Sequence, residues 1–558
     1  MIQFRKTNLF YGGLLLLILS SVLDLPAQNN AWLVDSTVQL IDGRSPRFSL
    51  VKPGDTIFLT AGNRDKLLIR NLSGSSAQPV VIMNRGGTVH INTAHYYGLS
   101  LSGCRYLRIS GQGNSPDFYG FQINRVANGA GIGLSAFSSD IEIDHLLIEN
   151  CFTAGIYAKT DPDCTFLATR EKFTQFNTSI HDNSIAHVGN EGMYIGSSFY
   201  SGVTLNCNGK DTLVYPPVLN GVQVFNNKVA YTGWDAIQVS SAVTACAVYG
   251  NTIEYDSQSE TDSQMSGILI GGGSKCDCSH NYISNGKGDG IEDHGLGGNR
   301  IYNNIIVNAG RSYFPGNPAK MKHGIFVSDV SVQKDSAFTI VFNTIIQPKS
   351  DGIRFQSVKS KNSLIASNLV ADPGNYDYYE LGTTFFRGKD AYVMLPSPLS
   401  SIQLQHNYFT PSVANARLSA AFVPMTGSPL INQGYQYNLD ITDDFLKQKR
   451  PCGDWYDIGA IEYTGGADSL ISFSGFNPVA FPDPAHSEIT IRYLNKPAFP
   501  SVITIYSIQG TRFLQQSVSS PVPGIQEVQF PINRLPAGLY LFTIRTGSEI
   551  SRGKFMKL

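Results

Sequence analysis

A short phrase with Asn two residues ahead of an apolar residue returns along most of this chain, and its spacing rules out most folds. Asn281-Tyr-Ile283 recurs as Asn183-Ser-Ile185, Asn227-Lys-Val229, Asn251-Thr-Ile253, Asn304-Ile-Ile306, Asn343-Thr-Ile345, Asn368-Leu-Val370 and Asn407-Tyr-Phe409, with His145-Leu-Leu147 taking the Asn place once. A second phrase follows all but the last two: Ala154-Gly-Ile156, Glu191-Gly-Met193, Asp235-Ala-Ile237, Ser266-Gly-Ile268, Asp289-Gly-Ile291, His323-Gly-Ile325 and Asp351-Gly-Ile353. The closest copies lie about 23 to 25 residues apart, and the wider gaps carry insertions. Such a period marks a solenoid whose coils bury a face only against their neighbours. Short β-branched runs broken by Gly and Asn make the coils strands, so a parallel β-helix is expected. In that fold Asn at a fixed bend ladders amide to amide between coils, and Gly tolerates the tight corner beside each strand. Alternation then sends Ile268, Ile270, Ile325 and Val327 inward, with Leu269 and Phe326 outward.

The chain opens with Arg5 and Lys6, an apolar run from Leu9 to Leu19, and Leu25-Pro26-Ala27 before Gln28. That is the charge, core and small-residue order of a signal peptide, so residues 1–27 are expected to be removed on export. The run is short for a membrane span, and no later stretch is apolar enough to make one. A secreted or outer-surface protein follows, expected to be a monomer. Its net charge of −1, with only 15% charged residues, provides no basic stripe for nucleic acid.

From Val51 the residues VKPGDTIFLTAGNRDKLLIRNLSGSSAQPVVIMNRGGTVHIN resemble the opening coils of secreted right-handed β-helix proteins, among them pectate-lyase-like and alginate- or chondroitin-lyase-like enzymes. The resemblance covers roughly residues 45 to 465 and implies the fold far more than any one activity. The solenoid, residues 28–464, ends on Gly427-Ser428-Pro429-Leu430-Ile431-Asn432 and Tyr456-Asp457-Ile458-Gly459-Ala460-Ile461-Glu462, similar to the endings of bacterial surface β-helix proteins, so Asp457 and Glu462 are expected to be structural. A linker of small and polar residues, 465–472, follows. From Phe473 the pattern changes to a small β-sandwich, with Glu488 to Tyr493, Ser501 to Tyr506, Leu535-Pro-Ala-Gly538-Leu-Tyr540 and the final Gly553-Lys554-Phe555-Met556-Lys557-Leu558. Residues 473–558 closely resemble the C-terminal sorting domain of the type IX secretion system. This implies a Bacteroidota-type bacterium, passage through that machinery, and removal of the domain at the surface.

Eight cysteines in a long exported chain are too few for a disulfide scaffold and enough for local bridges. Cys164 and Cys207 stand in insertions of successive coils and are placed to pair. Cys246 and Cys276 each stand five residues before a ladder Asn and should stack, either bridged or as small buried side chains. Cys276-Asp-Cys278 has no second pair at zinc spacing, which argues against a zinc site.

Insertions 160–177 and 199–220 follow Gly-Ile strands, and 256–264 and 309–322 precede them. They flank one face of the coil, either as tolerated surface loops or as walls of a groove; pectate-lyase-like families bind polysaccharide there. Beside that face the sequence gathers Glu191, Asp235, Asp289, Glu292, His294, Lys322, His323, Asp351 and Arg354, with Tyr157, Tyr194, Trp234 and Phe326 as aromatic surfaces for sugars. Asp293 is the anomaly, because alternation points it inward, where an unpaired carboxylate is costly. A uronic-acid lyase must neutralise the sugar carboxylate, with Ca²⁺ on Asp235, Asp289 and Glu292 or with Arg354, and would draw its base from Lys322, His323 or His294. A glycoside hydrolase needs paired carboxyls, and coils about 4.8 Å apart place Glu191 beside Asp235 and Asp235 two coils from Asp289. The Asp-Asp and Gly-His-Gly motifs of polygalacturonase-like β-helices are missing. The plainer alternatives are corner capping by Asp before Gly and a surface adhesin that binds glycan without cleaving it.

Overall fold

A computed structural model of the chain describes residues 30–113, 117–315, 320–374, 392–395, 402–436, 439–465, 478–481, 485–495, 501–518, 524–546 and 549–558. The export signal, most of the 465–472 linker and the start of the sandwich at Phe473 lie outside them.

Every coil contributes up to three short strands, and each strand pairs in parallel with its counterpart in the coils before and after. In the reference coil, Cys276–Ser279 lies between Cys246–Tyr249 and Arg300–Tyr302, Tyr282–Ser284 between Thr252–Glu254 and Ile305–Val307, and Asp289–Asp293 between Ser266–Ile270 and Ile325–Val327. The Gly-Ile strands form one twelve-stranded ladder from Leu40–Asp42 to Val393–Met394. Ile156, Met193, Ile237, Ile268, Ile291, Ile325 and Ile353 stack in register down its inner side, all buried. One continuous apolar core results, and truncating any of these side chains to Ala is expected to cost about 2–5 kcal/mol.

The predicted Asn ladder runs unbroken from Asn183 through Asn227, Asn251, Asn281, Asn304, Asn343 and Asn368 to Asn407. At each step the backbone N–H and the side-chain Nδ2 both donate to Oδ1 of the next Asn, at 2.9–3.1 Å. Two details of the corners differ from the sequence expectation. The left-handed residue is the one before each ladder Asn, such as His280 at φ 56°, Asn303 at 53° and Phe342 at 56°. The Gly of the Gly-Ile phrase is needed for close approach instead, since a Cβ on Gly290 would lie 2.5 Å from the Gly324 carbonyl oxygen and 2.5 Å from Ile306 Cγ2.

The segment expected to close the solenoid folds back along its flank. Leu430 and Ile458 cover Ile346, Leu369 and Ala371, while Ala460 and Ile461 pack on Ile305, so strands such as Asn304-Ile-Ile306 are apolar on both faces. Arg450, fully buried, pairs with Glu462 at 3.2 Å and donates to the carbonyls of Asp457 and Gly459. Asp457 accepts the Asn432 N–H at 2.6 Å, and both carboxylates are therefore pieces of this closure. Beyond it, a three-stranded and a four-stranded antiparallel sheet enclose a separate core of Ile489, Ile491, Tyr493, Ile503, Ile505, Phe542 and Phe555.

Candidate active site

The outer side of the twelve-stranded ladder carries two rows. The first is the residue after each stacked Ile: Tyr157, Tyr194, Gln238, Leu269, Glu292, Phe326 and Arg354, in register. The second stands two residues before each Ile, with Glu191, Asp235, Ser266, Asp289, His323 and Asp351 on successive coils. All six are buried, between 0% and 4% exposed.

Such burial has to be offset by partners. Asp289 accepts Lys322 Nζ at 2.8 Å and the His323 N–H at 2.6 Å, and Asp235 accepts the Ser266 hydroxyl at 2.7 Å. Asp351 is approached by Arg354 at 3.1 Å. Glu191 Oε2 and Asp235 Oδ2 are left without a partner. Burial accordingly pushes the Glu191 carboxyl up to about 7 and that of Asp235 well above the ordinary carboxylate range. Asp289 is also raised by burial, with Lys322 pulling it back.

In the outer row the balance reverses. Burial opposes the charge on Glu292, yet the His294 Nε2 contact at 2.5 Å and the charges of His294 and Lys322 outweigh it and keep the group below its ordinary range. Burial likewise disfavours charge on His294 and Lys322. Glu292 wins for the first, Asp289 and Glu292 for the second, and both groups favour their charged form more than they ordinarily would. His323 behaves oppositely: burial, then Arg354 and Lys322, keep it neutral. Its Nδ1 accepts the Asp351 N–H at 3.2 Å, so the 3.3 Å approach of Asp351 to that nitrogen is not an ion pair.

These states change several sequence expectations. Lys322 is held in its charged form and His323 is turned to the backbone, so neither is a ready base, and His294, which favours its charged form beside Glu292, becomes one only on the alkaline side of its titration. Of the three carboxylates named for Ca²⁺, Asp289 is met by Lys322 and Glu292 by His294. Among the described residues the one trio of ligand atoms within 4.8 Å of one another is Glu142, Asp144 and His181, on a different face, and Arg108 is inserted there at 3.0 Å from Glu142 and 2.7 Å from Asp144. Asp293 points into the core as alternation demanded, fully buried, with Oδ1 accepting from Gly295 and Asn299 and Oδ2 unpartnered.

The aromatic surfaces gather at one end of the face. The Tyr157 and Tyr194 rings lie 6.0 Å apart, and Lys159 Nζ stands 4.5 Å from the Tyr194 ring; Trp234 is half-buried one coil further on. The first two insertions form a joined wall, bridged by Cys164–Cys207 and by Arg170, whose guanidinium lies 4.1 Å from the Tyr200 ring and 5.2 Å from the Tyr215 ring. Cys246 and Cys276 face each other in register and are also bridged. Ser328, which sequence reasoning passed over, donates to or accepts from His294 Nδ1 at 2.9 Å. Its signal was the register itself, for His294 and Ser328 each stand three residues after a stacked Ile.

Residues 219–385 match the family model of a right handed beta helix region, and residues 479–557 match that of a secretion system C-terminal sorting domain. The class is thus a right-handed parallel β-helix protein. It ends in a Por-type sorting domain, which engages the type IX secretion machinery and directs the chain to the outer surface or the extracellular space. Among the described residues no helix is long and apolar enough to cross a membrane. Of solved structures, pectate lyase Pel9A is similar over 78% of this chain and 97% of its own, at 12% identity and a TM-score of 0.40. The GH136 lacto-N-biosidase of Eubacterium ramulus is similar over 68% and 67%, at 12% identity and 0.41, and the periplasmic alginate epimerase AlgG over 68% and 85%, at 11% identity and 0.31. No curated protein matches the sequence.

Proposed function

We propose that this exported β-helix binds an extracellular polysaccharide along the twelve-stranded face and hydrolyses it at the coils around Asp235 and Glu292. The observation that carries the reading is the contrast between two carboxyls on that face: Asp235 is fully buried with Oδ2 unpartnered, which favours its protonated form, while Glu292 is held by His294 Nε2 at 2.5 Å, which with Lys322 favours its ionised form. Carboxyl groups driven apart in this way define an acid and a base. Asp235 would protonate the leaving glycosidic oxygen, and Glu292 would take the proton of the attacking water or attack the sugar itself. Lys322, anchored on Asp289, supplies a fixed positive charge beside them. Tyr157, Tyr194 and Trp234 offer stacking surfaces for sugar rings at one end, and Arg354 a donor for polar or acidic substituents at the other.

A second reading rests on Lys322 and Arg354 themselves, two cations on one face that could neutralise a uronate carboxylate for elimination without calcium. The mature chain incubated with uronic-acid and neutral polysaccharides separates these. New reducing ends without ultraviolet absorbance, abolished in Asp235→Asn and Glu292→Gln, support hydrolysis. Absorbance from a new double bond, unaffected by chelator, would replace hydrolysis with elimination. Silence in both readouts across the panel would overturn cleavage and leave a glycan-binding surface protein.

A further inference from the structure

Glu292 and His294, which serve the proposed glycan hydrolysis, continue into a relay whose third member, Ser328, that reaction does not use. His294 Nε2 meets Glu292 Oε1 at 2.5 Å, and its other nitrogen, Nδ1, meets Ser328 Oγ at 2.9 Å. Each partner is fixed independently. Glu292 and His294 belong to or follow one strand, Asp289–Asp293, and Ser328 follows its paired neighbour, Ile325–Val327; the Ser328 N–H donates to the Asp293 carbonyl at 3.0 Å. The His294 carbonyl in turn accepts the Ser331 hydroxyl at 2.5 Å. A hydroxyl on an imidazole that a carboxylate orients from the far side is the arrangement that activates serine for acyl transfer. The two ring nitrogens exchange their usual partners here, which leaves proton transfer unaltered. Glu292, His294 and Ser328 are each only partly buried and open to the face, and the Phe326 ring stands edge-on to His294 at 6.1 Å, an apolar wall for a small acyl group.

We infer that the same face carries a second activity, hydrolysis of short-chain O-acyl esters on its polysaccharide, with Ser328 as nucleophile, His294 as base and Glu292 as the group that orients it. Ser328 Oγ attacks the acyl carbonyl carbon while its proton passes to His294 Nδ1. The tetrahedral adduct expels the sugar oxygen, which takes that proton, leaving an acyl ester on Ser328. Water, deprotonated by His294, then attacks the acyl carbon, and Ser328 recovers its proton as the carboxylic acid departs. The imidazole must be neutral for the first step. Since Glu292, Asp293 and Asp289 favour its charged form, the rate should climb on the alkaline side of the His294 titration.

The test uses the mature, disulfide-formed chain with 4-nitrophenyl acetate and O-acetylated pectin as probes, and a fluorophosphonate as covalent label. Expected are acetate release, stoichiometric labelling mapped by mass spectrometry to the Ser328 peptide, and at least a roughly hundredfold loss in Ser328→Ala and His294→Gln. Asp235→Asn should keep ester hydrolysis while losing glycan cleavage, and Ser328→Ala should do the reverse, so each activity fails or survives alone. An unlabelled Ser328, or a Ser328→Ala protein that releases acetate like the parent, overturns the inference whatever happens to the glycan backbone.

Discussion

Asn281→Ala is the substitution whose cost can be worked out most directly. The Asn281 side chain sits in mid-ladder, completely buried. Its Nδ2 donates to the Val248 carbonyl at 2.9 Å and to Asn304 Oδ1 at 3.0 Å; its Oδ1 accepts the Asn251 N–H at 3.1 Å and Asn251 Nδ2 at 3.0 Å. Alanine removes all four bonds, strips the Asn251 N–H of its acceptor and gives nothing back, since water cannot reach the corner. At about 1 kcal/mol net per bond the loss is about 4 kcal/mol, and the orphaned amide pushes it higher. Asn407→Ala, at the end of the ladder, loses three such bonds at a half-exposed position and should cost visibly less. Guanidinium titrations followed by the β-sheet circular dichroism band give both values. A cost below about 1 kcal/mol for Asn281→Ala, or one no larger than that of Asn407→Ala, would refute the idea that the ladder holds the coils together.

Asp293 should make the solenoid sensitive to alkali. Burial moves its carboxyl from the ordinary 3.8 to about 6, so the stability it contributes is complete below about pH 4 and is lost as pH rises through 6; the displacement is worth about 3 kcal/mol. Asp293→Asn should therefore gain on the parent between pH 4 and pH 8 in urea unfolding, and a pH-independent difference would count against it. Gly290→Ala forces a Cβ against the Gly324 carbonyl and should cost at least about 1–3 kcal/mol, read as a lowered thermal midpoint. Cys164→Ser with Cys207→Ser should weaken glycan binding through loss of the wall, seen as a raised KM with kcat retained.

The coil was legible because its repeats act through backbone geometry: the Asn ladder, the stacked Ile column and the inward Asp293 all follow from position within the period. The chemistry was less so. Lys322 reaches Asp289 from 33 residues away, and whether Glu191 and Asp235 are solvated or buried depends on tertiary packing. Composition cannot report that, and protonation follows burial. Tertiary packing likewise decided the flank, where the closing segment covers Ile305 and Leu369, residues whose apolar character on both strand faces was the available hint. Ser328 was within reach, for aligning the coils on their stacked Ile sets it beside His294.

The amide row also makes the coil a unit of inheritance. Each ladder Asn presents an acceptor to the coil before it and donors to the coil after it, and Ile268, Ile291 and Ile325 of the inner column each meet an Ile on both sides. A coil such as 276–298 duplicated in frame would therefore arrive with both ends already matched, and the groove could lengthen by one coil through a single genetic event. Gains and losses of whole coils, with the loops left free to vary, are the changes this architecture accepts most readily.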